Sequence, residues 1–516
     1  MVNSLKFPPL LSASAGAVVS YYTFAALRFD IRGNGLWLLL PLAFLFVFLS
    51  FVRVCALGPD VFFADAGGRR FFRLAELYFV FFSTGLVLGF GAGGAFLHEP
   101  EMGLPEERID AVLGILVDDP RTFYDGRGMG TIALRRSRSG STEASAAGNL
   151  SVFFPEEAIA RLKEFGRGCE IYVEGTIRHR ASPESRSSGK AGDRRRAEPF
   201  LQALSVHVTK TAPAIEKFRT GLRLFIIQRF AGKDWGGFSL ALLLGFRDNL
   251  DSDLAESFRN AGSSHVLALS GMHLALVSAV VTLLLKRPLG LRAAALAGAA
   301  FILFYVFLTG VQPSLERAAI MYLLGTLAVL GAMRRDPLNL LGLSFLLQIL
   351  LRPWSATGVS FILSYLALAG ILVTGESIAG IFRGKIPAMV LRPLAASVGA
   401  FVATMPVSVF FFGILRPVGI AAGLIIVPLT SLFMILSMVW FVVILTVPVL
   451  AGPFGAVLSL LYRILSRVVV LAARFPPLSG IGTVPAVLVS IGLSVFLILL
   501  DQRLRHFRNR LDPFPL

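Results

Sequence analysis

Two histidines and several small hydroxyl-bearing residues lie inside an apolar stretch near the middle of this 516-residue chain. The stretch reads FRNAGSSHVLALSGMHL from Phe258 to Leu274 and continues in mostly apolar residues to Leu285. A segment of this length can cross a bilayer as a helix. Imidazoles and hydroxyls inside a bilayer are costly unless they face protein, water or a substrate. The residue types therefore predict either a polar path through the membrane or hydrogen bonds between packed helices.

A regular helix across this stretch separates the small residues from the histidines. The small residues that share one face are Ser264, Ala268, Gly271, Ala275 and Ser278. Such a surface allows close helix contact, and His265 and His273 point away from it. We expect His265, Ser270 and His273 to line a path or to hold a neighbouring helix, with Ser264 on the packing face and Gly271 allowing close backbone approach.

The same residues also support a membrane-embedded hydrolase, or a transporter of a small substrate, as a second hypothesis. A hydrolase needs a nucleophile, a base and a third group that orients the base, and no acidic residue lies beside the two histidines. The six histidines of the chain form no H-E-x-x-H or H-x-H-x-D-H pattern. We therefore expect no metal site and no cofactor.

Composition places these residues in a polytopic α-helical membrane protein. The chain is 55% hydrophobic, with 44 phenylalanines and a formal net charge of +17, which excludes an ordinary soluble protein. Apolar segments near 10–27, 36–55 and 74–97, followed by nine more from residue 258 onward, predict about 10–12 spans. Basic residues in the connecting loops place both termini in the cytoplasm.

One region, residues 98–212, has the pattern of a soluble domain outside the cytoplasm. β-rich runs occur near 108–117, 130–136, 150–154, 169–178 and 200–209, with a short helix after the third. This order predicts an OB-like β-barrel, a fold that often binds single strands through stacked aromatic side chains. Phe123, Tyr124 and Tyr172 are candidates for such stacking, and the alternative is that they fill the barrel core.

The remaining segments complete four predicted domains. Residues 1–97 form a three-helix membrane segment, and residues 258–516 form the main helical membrane domain. Between the barrel and this domain, residues 213–257 connect the two through an amphipathic interfacial helix near 215–230 and a short re-entrant element near 238–246. Arg247 and Arg259 flank the end of this connector.

The stretch from Ala261 to His273 resembles the signature of the ComEC competence family, approximately A-G-x-S-H-[LI]-L-A-[IV]-S-G-[LM]-H. Similar family segments match LLGFR at 243–247 and Leu308 to Ala318, where LTG is followed by Ser314, Arg317 and Ala318. Many members of the family end in a metallo-β-lactamase-like domain. None of its metal ligands follows the last predicted span, so the chain resembles the form that lacks this domain.

The resemblance implies a channel that moves single-stranded DNA across the bacterial inner membrane during natural transformation. Arg317 is then a candidate phosphate contact, because a guanidinium fork fits phosphate oxygens. Its alternatives are an ion pair with Glu316 or a position at a helix end with the charge in water. Arg247 and Arg259 are further candidate nucleic-acid contacts. The implied partners are membrane lipid, a DNA-delivering receptor, a cytoplasmic motor or strand-binding protein, and a separate nuclease.

Overall fold

The computed structural model describes Ala17 and residues 102–122, 127–179, 199–333, 336–352, 355–356 and 358–511. Its contacts divide the described chain into two compact units. One unit contains Asp253–Leu303 and Gln312–Leu516, and the other contains His98–Ser252 with Phe304–Val311. Apart from Ala17, the three spans predicted before residue 98 lie outside the described residues, as do Phe123 and Tyr124.

The second unit contains a closed β-barrel. Its strands are β1 (Ala111–Leu116), β2 (Arg121–Thr122), β3 (Gly128–Ser139), β4 (Thr142–Ser145), β5 (Asn149–Phe154), β6 (Glu170–His179) and β7 (Pro199–Lys210). The five long strands follow the order β1-β6-β7-β5-β3, and β3 pairs with β1 to close the barrel. Helix α1 (Glu156–Phe165) lies between β5 and β6. The predicted OB-like barrel is therefore confirmed, and the short strands β2 and β4 are additions that the pattern did not show.

Alternation along the strands builds the barrel core. In the first half of β3 every second residue is buried, so one face points inward and the other outward. Ile132, Leu150 and Ile171 meet in this interior and are almost completely inaccessible. The two glutamates in the first turn of α1 interact favourably with the positive end of the helix. The local sequence pattern and the packing of the core therefore both favour the barrel with helix α1 between β5 and β6.

The connector forms two helices in the same compact unit as the barrel. Helix α2 (Ala214–Phe230) covers the residues for which an interfacial helix was predicted. Helix α3 (Gly236–Leu244) is too short to cross a bilayer, and all but one of its residues are buried. The element predicted near 238–246 is thus a short helix packed inside this unit.

The helices from residue 252 onward form a polytopic membrane protein. They are α4 (Ser252–Asn260), α5 (Ser264–Leu267), α6 (Gly271–Thr309), α7 (Pro313–Leu330), α8 (Pro337–Leu351), α9 (Val359–Ile381), α10 (Ala388–Phe412), α11 (Val418–Thr446), α12 (Pro448–Ala473) and α13 (Thr483–Leu511). Among the described residues, seven of these helices are long and apolar enough to span a membrane, and α8 is a shorter apolar helix.

Helix α6 consists of two parts joined at Gly290. Gly290 has a φ of 77° and a ψ of 170°, a conformation that glycine adopts without the steric cost of a side chain. At about 1.5 Å per residue, each part is close to the thickness of a bilayer core of about 30 Å. The break agrees with two predicted spans on either side of residue 290.

Helices α9 and α10 approach closely through glycine. A Cβ at Gly399 would lie 2.5 Å from the carbonyl oxygen of Gly370 and 3.0 Å from the Cα of Gly375. Residues Ile371–Gly375 form a single π turn within α9, which shifts the register of the helix by one residue. Only glycine at this crossing permits the observed backbone distance.

Candidate functional site

The central apolar stretch is broken in the middle. Helix α5 ends at Leu267, Ala268 is extended with a φ of −77° and a ψ of 139°, and α6 begins at Gly271. The hydroxyl of Ser314, in the first turn of α7, donates to the carbonyl oxygen of Leu269 at 2.7 Å. This bond satisfies a backbone group that the missing helical turn leaves free.

The continuous helix predicted across residues 258–285 is therefore wrong in its first half. Ser264 and His265 lie on α5 and are exposed, whereas Gly271 and His273 lie on α6. The small residues consequently do not share one helix face. The physical reason is that a hydrogen bond from a distant helix holds an irregular turn, and helical periodicity carries no information about that bond.

His273 is completely buried, at 0% exposure. Its Nδ1 accepts a hydrogen bond from the backbone N–H of Ser270 at 3.3 Å, so the ring proton is assigned to Nε2. That Nε2 has no hydrogen-bond partner in the part of the chain that the structure describes. The bond to Ser270 comes from its backbone and not its hydroxyl, so these two residues do not form the serine–histidine pair of a hydrolase.

Arg317 lies against the start of α6. A Cβ at Gly271 would be 3.2 Å from Arg317 Nη2 and 3.1 Å from the Cβ of Ala318. The absence of a side chain at Gly271 therefore lets the guanidinium reach the first turn of α6. Arg317 itself is only 9% exposed.

Among the described residues, the partners of Arg317 are uncharged. Its Nη1 donates to the carbonyl oxygen of Ser364, and its guanidinium carbon lies 5.7 Å from the ring centroid of Tyr365. Glu316 instead pairs with Arg352 at 3.4 Å. The ion pair considered between Glu316 and Arg317 is thus wrong, because adjacent residues on α7 point towards different neighbouring helices.

A chain of hydrogen bonds fixes the ring beside Arg317. The Tyr365 hydroxyl donates to Gln348 Oε1 at 2.9 Å, and Gln348 Nε2 donates to Glu316 Oε2 at 3.0 Å. The Tyr365 hydroxyl also lies 3.3 Å from Ser344 Oγ. Buried polar groups that are paired in this way rigidify a site, so the network positions the aromatic face next to the guanidinium.

The other predicted contacts lie elsewhere. Arg247 and Arg259 are exposed, and Arg259 lies 3.8 Å from Glu256 on the same helix. Tyr172 is partly exposed on β6, where its hydroxyl accepts a hydrogen bond from Arg138 Nη1 at 2.8 Å. Tyr172 is therefore not part of the barrel core. The described residues contain no group of three or more His, Cys, Asp or Glu side chains arranged to hold a metal.

Sequence reasoning missed a buried ionic cluster in the barrel unit. Arg219 on α2 is 0% exposed and donates to Asp119 Oδ1 at 3.0 Å and to Oδ2 at 2.5 Å. Arg223 contacts the same Oδ2, and Arg219 Nε donates to the carbonyl oxygen of Phe307 at 2.5 Å. These arginines were expected on a membrane-surface helix. They face a carboxylate from the barrel instead, because pairing offsets the cost of burying the charge.

The electrostatics of Asp119 follow from this cluster. Burial raises the pKa of its carboxyl, but the hydrogen bond from Arg219 and the charges of Arg223, Arg219 and Arg167 outweigh that effect, and the pKa is lowered. Asp119 therefore remains ionised at neutral pH. The sequence shows two arginines one turn apart on α2, but this spacing does not identify the carboxylate with which they pair.

A known protein family matches the region of the chain that contains the broken helix. A model of the family described as "Competence protein" matches residues 242–505, about half of the chain. The chain belongs to the competence protein family. The matched region includes the break before α6, His273 and Arg317, and it confirms the resemblance carried by the signature between Ala261 and His273.

Two curated relatives match parts of this competence protein. An uncharacterized protein of Aquifex aeolicus (strain VF5) is 29% identical over 229 residues, which cover 43% of this chain and 52% of the relative. ComE operon protein 3 of Bacillus subtilis (strain 168) is 25% identical over 199 residues, which cover 38% of this chain and 25% of the relative. The matches thus span about half or less of each relative. No solved structure matches the chain.

Proposed function

We propose that this competence protein acts in DNA uptake and passes single-stranded DNA across the bacterial inner membrane. Family membership and the similarity to ComE operon protein 3 support a role in competence. The observation that carries the channel hypothesis is the break between α5 and α6, within the membrane unit. Irregular backbone at membrane depth is tolerated where it is buried in protein or lines a water-filled cavity.

The chemistry of the break suits a polyanion. A DNA strand carries a negative charge on every phosphate, so its path needs hydrogen-bond donors and positive potential without a trap that stops movement. The first turn of α6 supplies backbone N–H groups, and Arg317 supplies a cation whose partners here are a carbonyl and a ring. His273 adds a buried ring nitrogen without a partner among the described residues.

The barrel is proposed to meet the strand on the periplasmic side. Arg138 and Tyr172 place a guanidinium 6.0 Å from a ring centroid on its surface, and Phe153 and Phe200 pack edge to face with centroids 5.0 Å apart. Aromatic and cationic side chains together are typical of surfaces that bind single strands without sequence preference. A DNA-delivering receptor, a cytoplasmic motor or strand-binding protein and a separate nuclease complete the proposed pathway.

Uptake into proteoliposomes tests the channel. The full chain is reconstituted in vesicles that contain a single-strand-binding protein as a trap, and labelled oligothymidylate is added outside. We expect the label to become resistant to external nuclease in these vesicles and not in vesicles without the chain. Label that stays fully digestible despite correctly folded protein and an active trap contradicts the channel.

Variants at the two histidines relate the broken helix to transport. His265→Ala and His273→Ala remove imidazoles from opposite sides of the break and leave the regular part of α6 intact. A path role predicts reduced uptake at normal membrane levels of the protein. If the membrane level of the variant falls in proportion to the lost uptake, the histidine has a structural role. Normal levels together with normal uptake exclude both the path role and the structural role.

A further inference from the structure

The contact between Arg317 and α6 brings two positive groups together. The first N–H groups of a helix have no acceptor within the helix, and the N-terminus carries about half a positive charge. Arg317 Nη2 lies beside Gly271, the first residue of α6. A cation is unfavourable at this end of a helix, so the arrangement lacks a negative charge.

The described chain does not supply that charge. In this part of the protein, no carboxylate oxygen lies within 4 Å of the Arg317 guanidinium, and Glu316 is paired with Arg352. Arg317 Nη1 donates a hydrogen bond to the carbonyl oxygen of Ser364, a described residue. Nε is buried and has no acceptor among the described residues. A buried donor without an acceptor costs about 1–3 kcal/mol, and more when it is charged.

We infer that Arg317 and the first turn of α6 bind one phosphate group. Phosphate fits both components, because guanidinium donors pair with its oxygens and helix N-termini bind it through backbone N–H groups. Its natural source is a phosphodiester of the DNA strand, and this assignment rests on the proposed function. A lipid headgroup offers the same chemistry, so the test separates the two sources.

Tyr365 is a positioning residue for this site. Its ring lies beside the guanidinium at 5.7 Å, and its hydroxyl is held by Gln348. The ring face attracts the cation without occupying the donors that face α6. The guanidinium is thereby oriented before the phosphate arrives, which reduces the entropy cost of binding.

Binding by the purified full chain in a phosphate-free detergent tests the site. Three probes are titrated separately: labelled oligothymidylate, inorganic phosphate and phosphatidylglycerol vesicles. Arg317→Gln should weaken oligothymidylate binding about tenfold or more. It should also reduce the slope of log affinity against log salt by about 0.7, the value for one phosphate on a single strand.

Arg416→Gln is the matched control. Arg416 lies in the same unit and also donates to a backbone carbonyl, that of Asn260 at 2.9 Å. Its removal therefore costs a similar hydrogen bond, and we expect an unchanged salt slope. An equal loss in both variants overturns the site, because the effect then follows from general damage.

Arg317→Lys keeps the inference testable when the neutral variant does not fold. Lysine preserves the charge and loses the planar fork, so the salt slope should persist while affinity falls. Wild-type affinity in this variant overturns the role of the guanidinium, and wild-type affinity in a folded Arg317→Gln protein for all three probes overturns the site.

The three probes also separate this inference from the channel. Arg317-dependent binding of oligothymidylate supports the strand as the source of the phosphate. Arg317-dependent binding of vesicles alone supports the phosphate site and rejects the strand as its source. A wild-type chain that binds phosphate through Arg317 and transports no DNA into proteoliposomes contradicts the proposed function and leaves the site standing.

Discussion

Replacing Asp119 with Asn tests what holds the barrel against helix α2. Asp119 accepts two hydrogen bonds from Arg219 and also contacts Arg223. Arg219 is fully buried, whereas the Asp119 side chain is 26% exposed. The substitution keeps the size of the side chain and removes its negative charge. Two arginines then lose the carboxylate that they share, and Arg219 keeps the more distant carboxylate of Glu216 at 3.6 Å.

The cost follows from the burial of Arg219. Removing one partner of a buried ion pair costs about 3–5 kcal/mol, because the other charge stays buried without compensation. Partial exposure of Asp119 favours the lower end of that range. Arg219 also retains its bond to the carbonyl oxygen of Phe307 and its 3.6 Å pairing with Glu216. We therefore expect a loss of about 3 kcal/mol, which corresponds to roughly a hundredfold increase in the population of locally opened barrel.

Cys169 reports this opening through thiol labelling. It is 0% exposed, and its carbonyl oxygen accepts a hydrogen bond from Leu116 at 3.0 Å, close in sequence to Asp119. Burial raises the pKa of its thiol to about 11, so the closed form reacts slowly. In a Cys55→Ser background, Asp119→Asn should label about a hundredfold faster than the parent.

Asp118→Asn is the control for this measurement. Asp118 is the exposed neighbour of Asp119 and has the same charge, so its labelling rate should stay near that of the parent. A labelling rate in Asp119→Asn that equals the Asp118→Asn rate refutes the claim that the ionic cluster stabilises the barrel end.

The pH dependence of the same cluster has a defined sign. The folded pKa of Asp119 is lowered, so its stabilising contribution is present above the unfolded pKa of about 3.9 and is lost as pH falls through the folded value. The stability difference between the parent and Asp119→Asn should therefore be largest at neutral pH and shrink in acid. Thermal melts of both proteins across this range measure it, and a difference that grows in acid contradicts the assignment.

Three further changes give distinct outcomes. Gly399→Leu should sharply reduce the yield of folded protein, because its Cβ would lie 2.5 Å from the carbonyl oxygen of Gly370. Gly452→Leu should leave the yield near normal, because no neighbouring atom of the described residues would lie within 4 Å of a Cβ there. Equal yields refute the packing argument. Tyr365→Phe should lower thermal stability by about 1 kcal/mol and keep oligothymidylate binding, whereas Tyr365→Leu should weaken both, and binding unaffected by leucine contradicts the positioning role. His273→Ala should free the backbone N–H of Ser270 and speed its hydrogen exchange, with unchanged exchange arguing against that bond.

Local pattern determined most of the architecture. Period-two alternation located the five long strands to within a few residues, and the acidic start of α1 marked the helix between the third and fourth. Apolar segments predicted the membrane helices after residue 258, because burial in lipid requires a long apolar run. The competence signature located the central stretch and included Gly271 and His273.

Tertiary contacts decided what those residues do. The break before α6 is held by Ser314, 45 residues after the carbonyl it binds, so helical periodicity alone predicted the wrong shape there. Arg317 does not pair with its neighbour Glu316, because the Glu316 carboxylate instead contacts Gln348 on α8 and Arg352, the residue that follows α8.

The ionic cluster of the barrel unit has the same origin. Asp119 and Arg219 are 100 residues apart. From the sequence alone, each would be predicted to be an ordinary charged residue on the surface. Local sequence specifies which residues lie on a strand or helix and which face is apolar. The partner of a buried charge is set by packing between distant segments, where desolvation makes an unpaired charge expensive and a matched pair stable.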